Sequence, residues 1–121
     1  FDQPDRVAVP VYVEALVARG IDRANETLDV APFLDVRDSI DPVNFYFEEA
    51  LRNGLVAINV SQGVDTVIAG QSRVVQPFGM MVEDMTIKPK SGITMSAAPR
   101  RGKTRAIQAP LLRGAFDDLE R

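Results

Sequence analysis

The chain of 121 residues contains no cysteine, no histidine and no tryptophan. Without cysteine it can form no disulfide, no thiolate metal site and no thiol nucleophile. Without histidine it lacks the commonest general base and the commonest transition-metal ligand. A serine nucleophile usually needs a histidine or a lysine beside it, and the lysines are limited to Lys88, Lys90 and Lys103. The composition therefore predicts a protein without a catalytic site, cofactor or metal. Carboxylate chemistry stays open as an alternative.

Long apolar runs are also missing. No stretch approaches the roughly 18 apolar residues that a membrane span requires, and no signal peptide is visible, although the chain begins with Phe1 and not with Met. We therefore expect a soluble protein without disulfides, in a cellular location that the sequence leaves open. A chain of this length fits one domain and is long enough to bury a core.

Charge is distributed unevenly along the chain. Residues 1–87 hold 14 acidic and 6 basic residues, a net −8, whereas residues 88–113 hold 7 basic residues and no acid; the last eight residues hold 3 acidic and 1 basic, so the sum is −3. An acidic body followed by a basic segment is typical of proteins that bind a partner through that segment.

Residues 41–60 carry the strongest structural signal. Asp41 and Pro42 suit the start of a helix, and Val43, Phe47 and Leu51 continue it at helical period. Asn53 and Gly54 predict the helix end, with Gly54 in the left-handed conformation. The run 55–60 then predicts a buried strand. Phe45 and Tyr46 lie outside the apolar stripe. We expect them to form a second packing surface or to cover the sheet edge, and if they are exposed they mark an aromatic contact for a partner.

The segment 7–19 has two interpretations. Pro10, Val13 and Val17 fit a helix from Pro10 to Arg19 closed by Gly20, which we favour. The many β-branched residues from Val7 to Val13 would instead begin a strand.

Further short strands are predicted over residues 28–30, 33–37, 64–69, 73–76 and 80–88, separated by proline and glycine. The expected fold class is therefore α+β, with two short helices on a mainly antiparallel sheet.

From Pro89 onward, proline and glycine recur and large apolar residues become scarce. We predict a compact body over residues 1–88 and an extended basic arm over 89–121, which ends in a short amphipathic helix that starts at Pro110. The predicted partner-binding residues are the basic and apolar side chains of this arm: Arg100, Arg101, Lys103, Arg105, Leu111, Leu112, Phe116 and Leu119.

The predicted function is that of a non-catalytic structural subunit of a larger assembly, such as a virion or another multi-subunit particle, whose arm docks on neighbouring subunits. The net −8 body and the basic arm favour a homo-oligomer. One alternative is nucleic-acid binding by the arm, although no aromatic residue lies between Phe78 and Phe116 to stack on bases. The other is a small enzyme that uses carboxylates or a metal, with Asp35, Asp38, Glu83 and Asp84 as candidates.

Overall fold

The computed structural model describes residues 4–25, 27–99 and 102–121. Its elements, in chain order, are β1 Tyr12–Val17, a 3₁₀ turn Val36–Ser39, α1 Phe45–Arg52, β2 Leu55–Val60, β3 Ile68–Val75, α2 Val82–Met85, β4 Thr86–Met95 and α3 Arg105–Leu119. Helices and a four-stranded sheet together confirm the predicted α+β class.

The sheet has the strand order β1-β2-β3-β4. The pairs β2–β3 and β3–β4 are antiparallel, whereas β1 and β2 are parallel. The sheet is thus mixed, with β1 at one edge and β4 at the other. Parallel neighbours need a crossover that leaves the sheet and returns, and the 3₁₀ turn and α1 lie in that crossover.

The prediction for α1 and β2 is confirmed in outline. The helix begins later than expected, because Asn44 and not Asp41 caps it: its side chain accepts a hydrogen bond from the Tyr46 N–H at 3.0 Å. Gly54 adopts φ +80° directly after the helix, and β2 follows at Leu55.

The favoured helix from Pro10 to Arg19 is wrong, because this segment contains β1. Valine side chains branch at Cβ and suit an extended backbone, and pairing with β2 supplies the backbone hydrogen bonds that a helix would have provided internally. The alternative interpretation as a strand was the better one.

The strands predicted on either side of Gly70 form one continuous strand, β3. Gly70 lies within this strand at φ +121°. A Cβ at this position would lie 2.6 Å from the carbonyl oxygen of Leu34, so the backbone around Leu34 can pack this closely only against a glycine. The strand expected over residues 80–88 is wrong for 82–85, which form α2. The predicted body–arm boundary at 88/89 lies within β4. Residues 89–95 belong to this strand, with residues 92–95 paired to β3, and are not an extended arm.

The core lies between α1 and one face of the sheet. Its buried apolar residues come from the sheet, from α1 and α2, and from the 3₁₀ turn. They include Val36, Phe47, Ile58, Val75 and Met85. On the opposite face, Asn59 accepts a hydrogen bond from Ser91 at 2.6 Å, and Ser91 lies 3.0 Å from the Ser72 hydroxyl. One face of the sheet is therefore covered by helix, and the other carries a polar cluster.

Candidate interaction surface

The helix α3 is longer than predicted and weakly packed on its own chain. It begins at Arg105 and continues through Pro110, whereas the sequence suggested a start at Pro110. Among its fifteen residues only Gln108 is buried. Helices in proteins are stabilised mainly by packing an apolar face, yet Ile107 is 53% exposed and Leu119 80% exposed. Most of the apolar surface of α3 therefore remains uncovered.

The predicted apolar partner-binding residues all lie on this helix. Leu111 and Leu112 are half-buried, whereas Phe116 and Leu119 are exposed. The structure thus places these four residues on one element, and the two nearest its carboxyl end are the most accessible.

Two side-chain contacts fix the segment between β4 and α3, the first to α3 and the second to the body. The side-chain amide of Gln108 donates to the carbonyl oxygens of Ser96 at 2.6 Å and Ala98 at 2.9 Å. The Lys103 ammonium lies 2.7 Å from the Asp29 carboxylate, and its side chain is only 19% exposed. This part of the predicted arm therefore folds back on its own body.

The predicted basic residues are not equivalent. Lys103 is engaged by Asp29, and Arg105 is exposed at the first residue of α3. Arg100 and Arg101 lie outside the described residues. Nucleic-acid binding by these basic residues stays a prediction. A phosphate group would have to compete with the Asp29 carboxylate for the Lys103 ammonium.

The carboxyl-terminal half of α3 and the nearby ends of β3 and β4 enclose an apolar groove, which we call the α3 groove. Its volume is about 320 Å³, and its lining includes Ile68, Ile93, Met95, Phe116 and Leu119. Sequence reasoning missed the strand residues, because it treated residues 89–109 as an arm without secondary structure. The available signal was the alternation of Ile93 and Met95, which is the period of a strand with one apolar face.

The aromatic pair Phe45 and Tyr46 divides between surface and core. Phe45 is 64% exposed beside the exposed Val43, as predicted, whereas Tyr46 is buried and not an exposed contact. The buried residues of α1 are Tyr46, Phe47 and Ala50. The buried face therefore includes Tyr46 beside Phe47 and is wider than the predicted apolar stripe. Burial raises the pKa of the Tyr46 hydroxyl, and the Arg19 guanidinium lies 4.5 Å from the ring centroid.

The candidate carboxylates meet arginines. Asp35 lies 3.4 Å from the buried Arg73 guanidinium, and Arg37 contacts both Asp38, at 3.3 Å, and Glu83. The hydrogen bond and charge of Arg37 hold the pKa of the Glu83 carboxyl below its usual value. The carboxylates are therefore engaged in ion pairs with two arginines, which connect the 3₁₀ turn with β3 and α2, and none of the four candidates lines a described pocket.

Within residues 4–25, 27–99 and 102–121, no group of three or more His, Cys, Asp or Glu side chains is arranged to hold a metal ion. Over the same part of the chain, no helix has the length and apolar character needed to cross a bilayer.

No protein-family model matches the sequence, and a search by sequence among curated proteins finds no match. The fold is similar to that of a crystal structure of an amidohydrolase from Thermotoga maritima MSB8, with a TM-score of 0.81 and 20% sequence identity. The likeness covers 99% of this chain and 39% of that chain. At this identity it shows the fold alone, and the chain spans about two fifths of the longer protein.

Proposed function

We propose that this chain is a non-catalytic structural subunit of a larger assembly, such as a virion or another multi-subunit particle, and that α3 with its groove docks on a neighbouring copy. One observation carries the proposal: a fifteen-residue helix with several large apolar side chains buries only a glutamine on its own chain. A helix with so little packing gains stability when a partner covers its apolar side chains.

The exposed side chains are sufficient to contribute useful binding energy. Complete burial of a large apolar side chain stabilises by about 1.5–3 kcal/mol, and Phe116 and Leu119 begin 51% and 80% exposed. Covering both would therefore contribute about 2–4 kcal/mol, which is roughly a 30- to 1,000-fold change in an association constant.

Point variants test the proposal better than truncation, because an end near Lys88 would cut β4. Phe116→Ser with Leu119→Ser removes the exposed apolar side chains, and Arg113→Ser with Asp117→Ser is the matched control on exposed positions of the same helix. Sedimentation velocity over a concentration series should show that the first pair weakens self-association at least thirtyfold and that the second pair changes it less than threefold. Equal behaviour of the two pairs, or a wild-type chain that stays monomeric at millimolar concentration, would refute the proposal.

A second candidate is a hydrolytic function, favoured by the likeness to a protein that is itself an amidohydrolase. Its candidate residues are the carboxylates Asp35, Asp38 and Glu83, which are paired with Arg73 and Arg37. Purified protein would be incubated with a panel of amide substrates, alone and with added divalent metals. Turnover that disappears in a folded Asp35→Asn variant would favour this candidate over the structural one.

A further inference from the structure

The junction between α1 and β2 contains the dipeptide Asn53-Gly54. Gly54 has φ +80°, a backbone conformation that residues with a Cβ rarely adopt, so the fold itself favours glycine here. Asn53 is the C-cap of α1 and directly precedes that left-handed residue. Because glycine has no Cβ, its backbone nitrogen can approach the side-chain amide of the preceding asparagine with the least obstruction. The stop of α1 therefore creates the dipeptide in which an asparagine side chain is most open to attack by the backbone.

The other asparagines of the chain are better protected. Asn25, Asn44 and Asn59 precede glutamate, phenylalanine and valine, each of which has a side chain that obstructs the approach. The side-chain oxygens of Asn25 and Asn44 accept backbone hydrogen bonds, and that of Asn59 accepts a serine hydroxyl within the sheet. Asn53 and Gly54 are both exposed, so water reaches them. Asn53 is thus the asparagine most open to reaction.

We propose that Asn53 is a site of spontaneous deamidation. The backbone nitrogen of Gly54 attacks Cγ of Asn53, the N–Cγ bond forms as the Cγ–Nδ2 bond breaks, and ammonia leaves with the proton that the backbone nitrogen gives up. The product is a cyclic imide. Water then opens the ring at either carbonyl carbon and yields an aspartate or an isoaspartate, whose main chain is longer by one methylene group. Water is the only co-reactant.

The folded junction restrains both nitrogen atoms that take part. Asn53 Nδ2 donates to the carbonyl oxygen of Glu49 at 2.8 Å, and the Gly54 N–H donates to the carbonyl oxygen of Leu51 at 3.0 Å. Both hydrogen bonds must break before the backbone nitrogen can bond to Cγ and the side-chain nitrogen can leave. The reaction therefore proceeds from molecules in which the last turn of α1 has opened, and its rate measures that local opening.

The modification would weaken the junction at which it occurs. A carboxylate has no N–H to donate to the Glu49 carbonyl, and it places negative charge at the carboxyl end of a helix, where such charge is unfavourable. An isoaspartate would also displace Gly54, whose carbonyl oxygen accepts a hydrogen bond from the Tyr12 N–H at 3.1 Å where β1 begins to pair with β2. These contacts do not involve α3, so the inference is independent of the proposed function.

Peptide mapping by mass spectrometry during incubation of the purified chain at mildly alkaline pH tests the proposal. We expect Asn53 to be converted first, to both aspartate and isoaspartate, and at least about tenfold faster than Asn25, Asn44 and Asn59. Conversion of Asn53 in the folded chain should be slower than in urea-unfolded chain by a factor between about ten and a thousand, because the two hydrogen bonds must first open. Asn53→Gln is the matched control: it keeps a side-chain amide but would need a larger ring, and it should abolish conversion at this position.

A second measurement tests the consequence for stability. Asn53→Asp reproduces the carboxylate of one product, and we expect it to lower the urea midpoint. Asn44→Asp adds the same charge at the opposite end of α1, where the carboxylate still accepts the Tyr46 N–H and the helix dipole favours it, so the midpoint should not fall. Four results would overturn the inference: earlier conversion of another asparagine, a folded rate equal to the unfolded rate, a folded rate below about a thousandth of it, or a midpoint for Asn53→Asp no lower than that for Asn44→Asp.

Discussion

Replacement of Gly20 by alanine should destabilise the protein more than the same replacement at Gly102, which has the same left-handed φ. Gly20 follows β1 at φ +75°, and a Cβ at this position would lie 2.4 Å from Cζ of Phe47. Real Cβ atoms do not approach a ring carbon so closely, so either the backbone or the ring must move. The Phe47 ring is 2% exposed and packed within the core, which leaves it little room.

The expected magnitude has two parts. An alanine in the left-handed region costs about 1–2 kcal/mol, and an extra methyl group in a well-packed core costs about 1–3 kcal/mol more. Gly20→Ala should therefore lower the free energy of unfolding by about 2–5 kcal/mol. Gly102 has the same φ of +75° with no atom within 4 Å of its added Cβ, so Gly102→Ala should cost only the first part.

Urea unfolding followed by far-UV circular dichroism measures both variants, and tryptophan fluorescence is not an option in this chain. The double variant Gly20→Ala/Phe47→Leu makes the test sharper, because the smaller side chain makes room for the methyl group. We expect a favourable coupling energy of at least about 0.5 kcal/mol between the two substitutions. Equal losses for Gly20→Ala and Gly102→Ala would show that the ring does not restrict this position, and the packing described for the core would then be wrong.

Two further predictions concern polar contacts. Gln108→Leu should lower the free energy of unfolding by about 0.5–1.5 kcal/mol for each hydrogen bond lost, because it removes the amide donor to the carbonyl groups of Ser96 and Ala98; faster amide hydrogen exchange throughout α3 would accompany the loss. The depressed pKa of Glu83 means that the Arg37 contact stabilises the fold above the ordinary glutamate pKa, about 4.3, and that this contribution is lost as the pH falls through the lower folded-state value. Glu83→Gln should therefore reduce the stability difference between pH 5 and pH 3, measured by urea midpoints; an unchanged difference would assign the acid sensitivity to other groups.

Local chemistry in the sequence was sufficient for part of the fold. Gly54 predicts a helix end because few other residues accept a left-handed backbone, and the apolar run after it predicts β2, whose bounds agree with the structure. The helix start was less certain, since Asp41 and Asn44 both carry capping side chains and their side chains accept backbone hydrogen bonds. In the structure Asn44 is the N-cap of α1.

Elements whose partners are distant in sequence were not predictable in this way. The segment with Val13 fits a helical stripe and a strand equally well until β2 is available to pair with it. The run around Lys90 looks like an arm because its side chains are charged, yet it is an edge strand whose backbone bonds to β3. Hydrogen bonds between backbone groups do not depend on side-chain hydrophobicity. The sequence of a charged edge strand therefore shows little of the alternation of apolar and polar residues by which strands are predicted.

The sequence by itself determined the α+β class, the sharp junction between α1 and β2, and the chemical limits that follow from missing cysteine and histidine. Only the tertiary structure decided that β1 lies at an edge of the described sheet, that Lys103 is held by Asp29, and that Phe116 lines a groove formed with β4. Composition and local spacing act within a few residues of the chain, whereas edges, ion pairs and grooves arise where segments far apart in sequence meet.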